Sequence, residues 1–445
     1  MALTSLEQEL IQELAAREGE IVGLASDLIR FDTTSRMVGD PPREEAALQR
    51  HLAGRLAAAG FEVDLFEPDA PSLQGKTHVP PGLDFVGRPQ LAARLVGGGG
   101  GRSLLLNGHI DVVPADASEG WTTAPRDPVV RNGFLYGRGA CDMKGGIAAM
   151  VVAAEVLARC GALAGDLIVA TNTDEESTGA GGTALVERGV RADGAIVTEP
   201  TGLDVWISCR GSTYATVTVP GRAGHAEIAH PHWRQGGAVN AIEKAQVAID
   251  ALRGISARWA ADATLRHPRL SSPAAIATEM SAGDWAVTIP GEARLTVGVM
   301  FLPQQADADG GAFGVQREVS DTIATACAGD DWLAEHPVVV DWWPNALMPL
   351  EIDAGHPVVT DTYGAVADVG GAPRLTGLDS WYDGATFTLL AGTPAVGLGP
   401  SGLGRDGAAV AHAVDEHVPV ADLVRCAQAI AVTALRFCGT VTEGG

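Results

Sequence analysis

The chain has 445 residues, more than one hydrophobic core usually serves, and 46% hydrophobic with 19% charged residues excludes a disordered polymer. Against 31 Lys and Arg stand 55 Asp and Glu, a net charge of −24 that repels phosphate backbones and anionic lipid; no basic patch with interleaved aromatics offsets it, so nucleic-acid and membrane binding are not expected. The six cysteines (Cys141, Cys160, Cys209, Cys327, Cys426, Cys438) show no C-x-x-C spacing, which argues against a disulfide framework or a thiolate zinc site and for reduced thiols in a cytoplasmic protein.

Met1 to Arg30 is rich in Glu and reads as one amphipathic helix, with Leu6, Leu10, Ile11 and Leu14 on a single stripe. It has neither the basic start nor the apolar core of a signal peptide. Ala46 to Gly60 is a second helical pattern closed by glycine, and Phe61 to Leu65 alternates like a strand. Pro68 to Pro89, rich in Pro and Gly, reads as a surface excursion, and Leu91 to Val96 as the next strand. The five glycines 97–101 lack a following Gly-Lys-Ser/Thr and helix, so they read as a hairpin loop and not a phosphate cradle.

Leu104 to Leu106 is a fully apolar strand that delivers His109 and Asp111. Tyr136 to Asp142 forms a tight turn, and Met143 to Cys160 an Ala-rich buried helix with Asp142 at its N-terminus, where a capping aspartate also suits a metal. Leu167 to Ala170 is a strand that runs into Asp174, Glu175 and Glu176. A helix near Gly182 to Arg188 follows, and then strand 195–198 leads into Glu199. Buried strands alternating with helices argue for an α/β sheet with much parallel pairing. Its strand ends then aim carboxylates and an imidazole at one crevice.

From Thr213 the grammar changes. Strand 213–219, helix 237–252, strands 274–280 and 293–301, helix 314–327 and strand 337–342 follow the βαββαβ order of a ferredoxin-like unit. Beyond Asn345 the α/β pattern returns, with helix 356–369, strand 394–398 and helix 420–437. The expected organisation is a catalytic domain, residues 1–210 and 345–445, carrying an inserted small domain, residues 211–344.

His109, Asp142, Glu175, Glu176, Glu199 and His412 are the residue types a hydrolytic metal site needs: imidazoles and carboxylates as ligands, and a spare carboxylate to take a proton. His412 lies in the loop 410–416, and spacing alone does not pair it with the others. Six ordered stretches then carry a resemblance: 107–114, 136–146, Thr173 to Glu176, Thr198-Glu199-Pro200, Gly221 to His225, and Leu398 to His412. Together they resemble the M20 family of metal-dependent amidohydrolases and peptidases, which includes acetylornithine deacetylase and succinyl-diaminopimelate desuccinylase.

The resemblance implies a zinc-peptidase-like α/β catalytic domain with a ferredoxin-like insert. It implies two metal ions bridged by Asp142, one completed by His109 and Glu199, the other by Glu176 and His412. Asp111 matches the carboxylate that orients the His109 ring. Glu175 matches the general base that takes a proton from the attacking water and passes it to the leaving amine. His225 matches the histidine that donates to the oxyanion, often across a dimer interface. The oxygen and nitrogen donors suit Zn²⁺, and also Co²⁺ or Mn²⁺. A homodimer through the small domain and a small-molecule substrate are likewise implied.

Other residues stay open. His230 and His232 have no partner carboxylates and read as lining or surface. Arg210 suits either a substrate carboxylate or a hinge ion pair, and either Asp379 or Asp383 matches an aspartate the family often carries. The aromatic run Trp332 to Trp343, with Trp381 and Tyr382, fills core or reaches the cleft. Desuccinylases carry an arginine after the third small-domain strand, whereas Val299 to Pro303 has none, which disfavours a succinyl substrate. Hydrolysis of an N-acyl amino acid or related small amide is the expected activity. A carboxypeptidase or dipeptidase, a hydrolytic deaminase, and a silent binding protein are the alternatives.

Overall fold

The computed structural model describes residues 3–403 and 409–441. The chain divides into two compact units, one formed by Met1–Ser208, Leu350–Gly377 and Tyr382–Gly445, the other by Cys209–Pro349 and Leu378–Trp381.

The first unit is built on a nine-stranded sheet. Its order is Glu62–Phe66, Gln90–Leu95, Leu167–Asn172, Leu104–His109, Gly194–Val197, Ala395–Gly397, Val205–Cys209 and Leu350–Glu351, with Leu375–Leu378 also pairing with Val205–Cys209. Leu104–His109 runs parallel to both Leu167–Asn172 and Gly194–Val197, and Ala395–Gly397 is parallel to Gly194–Val197. These strands are buried along their length except at the half-buried Ile168, which is why they read as continuous apolar runs and not as alternating ones. From Leu104–His109 the chain first adds a strand on one side and then returns to add Gly194–Val197 on the other. The crevice where an open sheet reverses direction is where ligands collect, and here it lies at the ends of those three strands.

The helix Lys144–Cys160 lies against this sheet at backbone distance. A Cβ on Gly146 would come within 2.2 Å of the Thr198 carbonyl oxygen, and one on Gly108 within 2.7 Å of Ile147 Cγ1. A larger residue would have to displace main chain at Gly146 and the Ile147 side chain at Gly108.

Two expectations are corrected. The N-terminal helix is two, Ser5–Ala16 and Glu18–Arg30, which meet at Arg17. Thr4 and Glu7 close a capping box on the first, and Arg17 bonds Glu13 and Glu20 across the joint. The stretch 68–89 is no surface excursion: Leu73, Val79, Leu83 and Phe85 are buried against Ala180 and Ala184, and His78 and Arg88 are buried too. Gly75, Gly82 and Gly87, all at positive φ, turn the segment back onto the protein, so its glycines serve packing. Strand Val205–Cys209, fully buried, has no counterpart in the sequence reading.

In the second unit four strands stand in the order Ala274–Ala282, Glu292–Phe301, Gly211–Pro220, Val339–Trp342, every neighbour antiparallel. That order, with helices Ala241–Ala261 and Phe313–Cys327 between strands, is the ferredoxin-like arrangement. Strand Gly211–Pro220 alternates buried and half-buried residues, sending Val217 and Val219 into a core shared with Ala245, Leu252, Val319 and Ile323. Trp332 belongs to this core: it stacks on His336 with centroids 3.6 Å apart and donates to the Pro220 carbonyl at 2.9 Å. Trp343 is 46% exposed and stacks on Tyr214. Among the described residues no helix is long and apolar enough to cross a membrane.

Candidate metal-dependent active site

Three strand ends, one turn and the loop that bears His412 supply the cluster. His109 is the last residue of its strand, Glu175 and Glu176 follow Leu167–Asn172 by one short turn, Glu199 follows Gly194–Val197, and Asp142 precedes the helix Lys144–Cys160. Asp142 faces two imidazoles: its Oδ1 lies 3.2 Å from His109 Nε2, its Oδ2 3.4 Å from His412 Nε2. His412 Nε2 is also 3.1 Å from Glu176 Oε2, and His109 Nε2 is 3.9 Å from both Glu199 Oε1 and Glu175 Oε2. Ligand atoms of His109, Asp142 and Glu176 all lie within 4.8 Å of one another.

Asp111 works on two sides. Its main-chain carbonyl accepts from His109 Nδ1 at 2.9 Å, whereas its carboxylate stands 3.7 Å from that nitrogen. The carboxylate instead accepts the main-chain amides of Glu175, at 3.2 Å, and Glu176, at 3.1 Å, and the Ser35 hydroxyl at 3.2 Å. The ring is thus oriented by the Asp111 backbone with Nε2 turned to the cluster, and the acidic turn is held by the Asp111 side chain.

Negative charge exceeds positive here. Burial pushes Glu175 and Glu199 well above the usual carboxylate range, against the pull of His109. Burial and then Asp142 raise Glu176. Asp142 is drawn below the ordinary range because bonds from His109 and His412 outweigh its burial. Bonds to Asp142 and then Glu176 push His412 up to about 10. Glu176 Oε1 and Glu199 Oε1 are buried without a hydrogen-bond partner among the described residues. Carboxylates crowded without matching donors, with imidazole nitrogens between them, fit divalent cations.

Several supporting residues went unassigned in the sequence. Glu416, 1% exposed, accepts the amides of Cys141 at 3.0 Å and Asp142 at 3.1 Å and pairs with Arg138 at 2.7 Å. Arg138 also donates to the His412 carbonyl at 3.3 Å, so one buried ion pair ties the Asp142 turn to the His412 loop. Both residues lie within or beside the quoted motifs, but only the fold brings them together. Of the two aspartates left open, Asp383 belongs to this unit. It is buried, accepts from Asn172 Nδ2 at 2.5 Å, and is pushed up to about 7 by burial. Asp379 instead bonds Ser271 in the other unit. Residues 404–408, inside the last motif, lie outside the described residues.

Arg210 is resolved against a free carboxylate binder: Nε and Nη2 donate to the Asp379 carbonyl and Nη1 to that of Ser272. Tyr382 and Trp381 are buried. His225 is exposed on a short strand paired with Thr288–Ile289 in the second unit. Its Nδ1 accepts the Glu227 amide at 3.2 Å, which puts the proton of the neutral ring on Nε2. His230 bonds the His225 carbonyl, and His232 caps the turn Trp233–Gln235.

A family model described as peptidase family M20/M25/M40 matches residues 105–436. The N-formyl-4-amino-5-aminomethyl-2-methylpyrimidine deformylase of Bacillus subtilis is 27% identical over 98% of both chains. The succinyl-diaminopimelate desuccinylase of Xanthomonas oryzae pv. oryzae is 32% identical over 85% of this chain and 90% of that one. Human carnosine dipeptidase 1 superposes with a TM-score of 0.68 at 16% identity, over 98% of this chain and 99% of its own, which shows a shared fold.

Proposed function

Because the chain belongs to peptidase family M20/M25/M40, and so to the metal-dependent hydrolases of amide bonds, we propose that it is a deacylase. It removes a small acyl group from the nitrogen of an amino acid or related small amine, with Glu175 as the general base. The observation that carries this reading is a surplus of carboxylate: Glu175, its side chain 10% exposed, and Glu199 each stand 3.9 Å from His109 beside the His109, Asp142 and Glu176 cluster, and with Glu199 taken as a ligand Glu175 is the acid left over. A ligand set needs no such extra acid; a proton transfer does.

In this reading His109, Asp142 and Glu199 would hold one ion, and Asp142, Glu176 and His412 would hold the other. Zn²⁺ is the ion that best suits these donors, with Co²⁺ or Mn²⁺ as substitutes. Bound there, such ions polarise the amide carbonyl and make water acidic near neutral pH. Glu175 receives the proton of the attacking water, and burial, by raising its affinity for that proton, makes it a competent acceptor. It then delivers the proton to the leaving nitrogen. Asp111 holds His109 and the Glu175 amide in one register, so base and ligand keep their separation. His225 donates from Nε2 to the oxyanion, in a cytoplasmic homodimer formed through the small domain.

A formyl or similarly small acyl group is favoured by the end-to-end similarity to a deformylase and by the lack of arginine in 299–303. The higher identity to a desuccinylase supports succinyl as the second reading. The test is amine release from N-formyl, N-acetyl, N-carbamoyl and N-succinyl amines and from dipeptides, with Glu175→Ala alongside. Release from one acyl class that is lost in the variant supports the proposal; cleavage of dipeptides alone makes the protein a peptidase.

A further inference from the structure

The turn that carries Glu175 and Glu176 is held not only by Asp111 but also by Arg88, at the end of the stretch 68–89, and by Gln90, the first residue of the strand Gln90–Leu95. Arg88, 2% exposed, donates from Nη1 to Asp174 Oδ1 at 2.8 Å. Gln90 Oε1 accepts the Thr173 amide at 3.0 Å, and its Nε2 donates to Thr173 Oγ1 at 2.9 Å. Asp174 itself has φ +70°, a left-handed conformation that a non-glycine residue keeps only when its surroundings impose it. Its carbonyl accepts the Thr178 and Gly179 amides, and its carboxylate the Thr178 hydroxyl.

The grip is costly to keep. Arg88 Nε and Nη2 are buried without a hydrogen-bond partner among the described residues, and a second buried cation, Arg36, paired with Glu45 at 2.9 Å, lies near enough to feel its charge. A well-packed apolar side chain in place of a buried ion pair is often neutral or stabilising, so fold stability alone does not account for a guanidinium here. What it supplies is direction. Glu175 and Glu176 are neighbours in the chain with different tasks, and only a fixed backbone keeps one carboxylate toward the reacting amide and the next toward His412.

We propose that Arg88 is a positioning residue, which acts through Asp174 to set the turn that divides these roles between Glu175 and Glu176. The proposal rests on the reading of Glu175 as base and Glu176 as ligand. Its test compares wild type, Arg88→Met, Arg88→Lys and Asp174→Asn as folded, full-length proteins. The readouts are kcat and KM on the best amide, and Co²⁺ affinity of the chelator-stripped proteins followed by visible absorbance.

Arg88→Met is expected to lose about 10²-fold in kcat, as a sub-ångström to ångström misplacement does, with KM little changed. Its Co²⁺ affinity should fall about 10-fold, the usual effect of removing a residue that supports a ligand. Arg88→Lys, which keeps a charged donor, should recover most of both. An Arg88→Met protein that folds and keeps wild-type kcat and Co²⁺ affinity overturns the proposal, and so does an Arg88→Lys that fails as badly as Met. Should Arg88→Met not fold, Asp174→Asn, whose side chain tolerates the left-handed backbone, is judged by the same two losses. A wild type that binds Co²⁺ but cleaves no amide would instead unseat the role given to Glu175, and the Co²⁺ arm alone would then decide on Arg88.

Discussion

Glu416 accepts the main-chain amide of Asp142 at 3.1 Å, so a residue four places beyond His412 holds the carboxylate that both imidazoles face. Arg138 completes the link through its 2.7 Å pair with Glu416. With side chains 5% and 1% exposed, neither partner has water to fall back on. Arg138→Met leaves an uncompensated buried carboxylate and is expected to cost about 3–5 kcal/mol of stability by urea unfolding. A cost near zero would mean that the pair is dispensable.

Glu175→Ala should lower kcat by about 10²–10⁴-fold, the range for a general base, while metal content by elemental analysis stays at the wild-type value. Loss of metal in parallel with activity would make Glu175 a ligand.

His225→Ala should lose about 10²–10³-fold in kcat, as when an oxyanion donor is removed, with unchanged metal content and substrate affinity. Near-full turnover would remove His225 from the reaction.

Metal removal should destabilise the fold, since the crowded acids of the cluster lose their counter-charge. Each ion that binds only the folded state adds about 2.7 kcal/mol at about 100 times its Kd, so melting should fall with EDTA and climb back as Zn²⁺ is titrated in. Identical melting curves with and without chelator would contradict the ligand assignment.

His78 supplies a pH dependence separate from the metals. Burial lowers its pKa from 6.5 to about 4, so the unfolded chain binds more protons between those values. Stability from this group is therefore whole above pH 6.5 and drains away as pH falls toward 4, by about 3 kcal/mol at about 1.4 kcal/mol per unit. His78→Asn suits the φ of +66° and does not titrate, so unfolding of chelated wild type and variant from pH 7 to 4 should diverge only toward acid. Parallel curves would show that His78 protonates without penalty.

The strands that bear the cluster were legible because parallel strands buried on both faces must be apolar throughout, and chemistry then stands out where the apolar run stops, at His109, Glu175 and Glu199. The small unit was legible through its alternating strands. Long-range relations were not. Nothing local pairs His412 with Glu176 or Arg138 with Glu416, and nothing local separates Asp383, bonded to Asn172, from Asp379, bonded to Ser271. The stretch 68–89 misled because Pro and Gly mark turns wherever they occur, and here the turns bury Phe85 and Arg88. Composition cannot tell a turn that faces solvent from one that folds inward.

The close fit of Gly146 on the Thr198 main chain and of Gly108 on the Ile147 side chain bears on how damaging variants of this protein should be interpreted. The interval between the helix that follows Asp142 and the strand that leads to Glu199 is set by main chain, and toward the strand that leads to His109 it is set by the packed Ile147 side chain. An alanine at either glycine would therefore shift one half of the cluster against the other while leaving every ligand in the sequence. Inactive clones from a random library should include such glycine changes, and a search restricted to polar residues would pass them over.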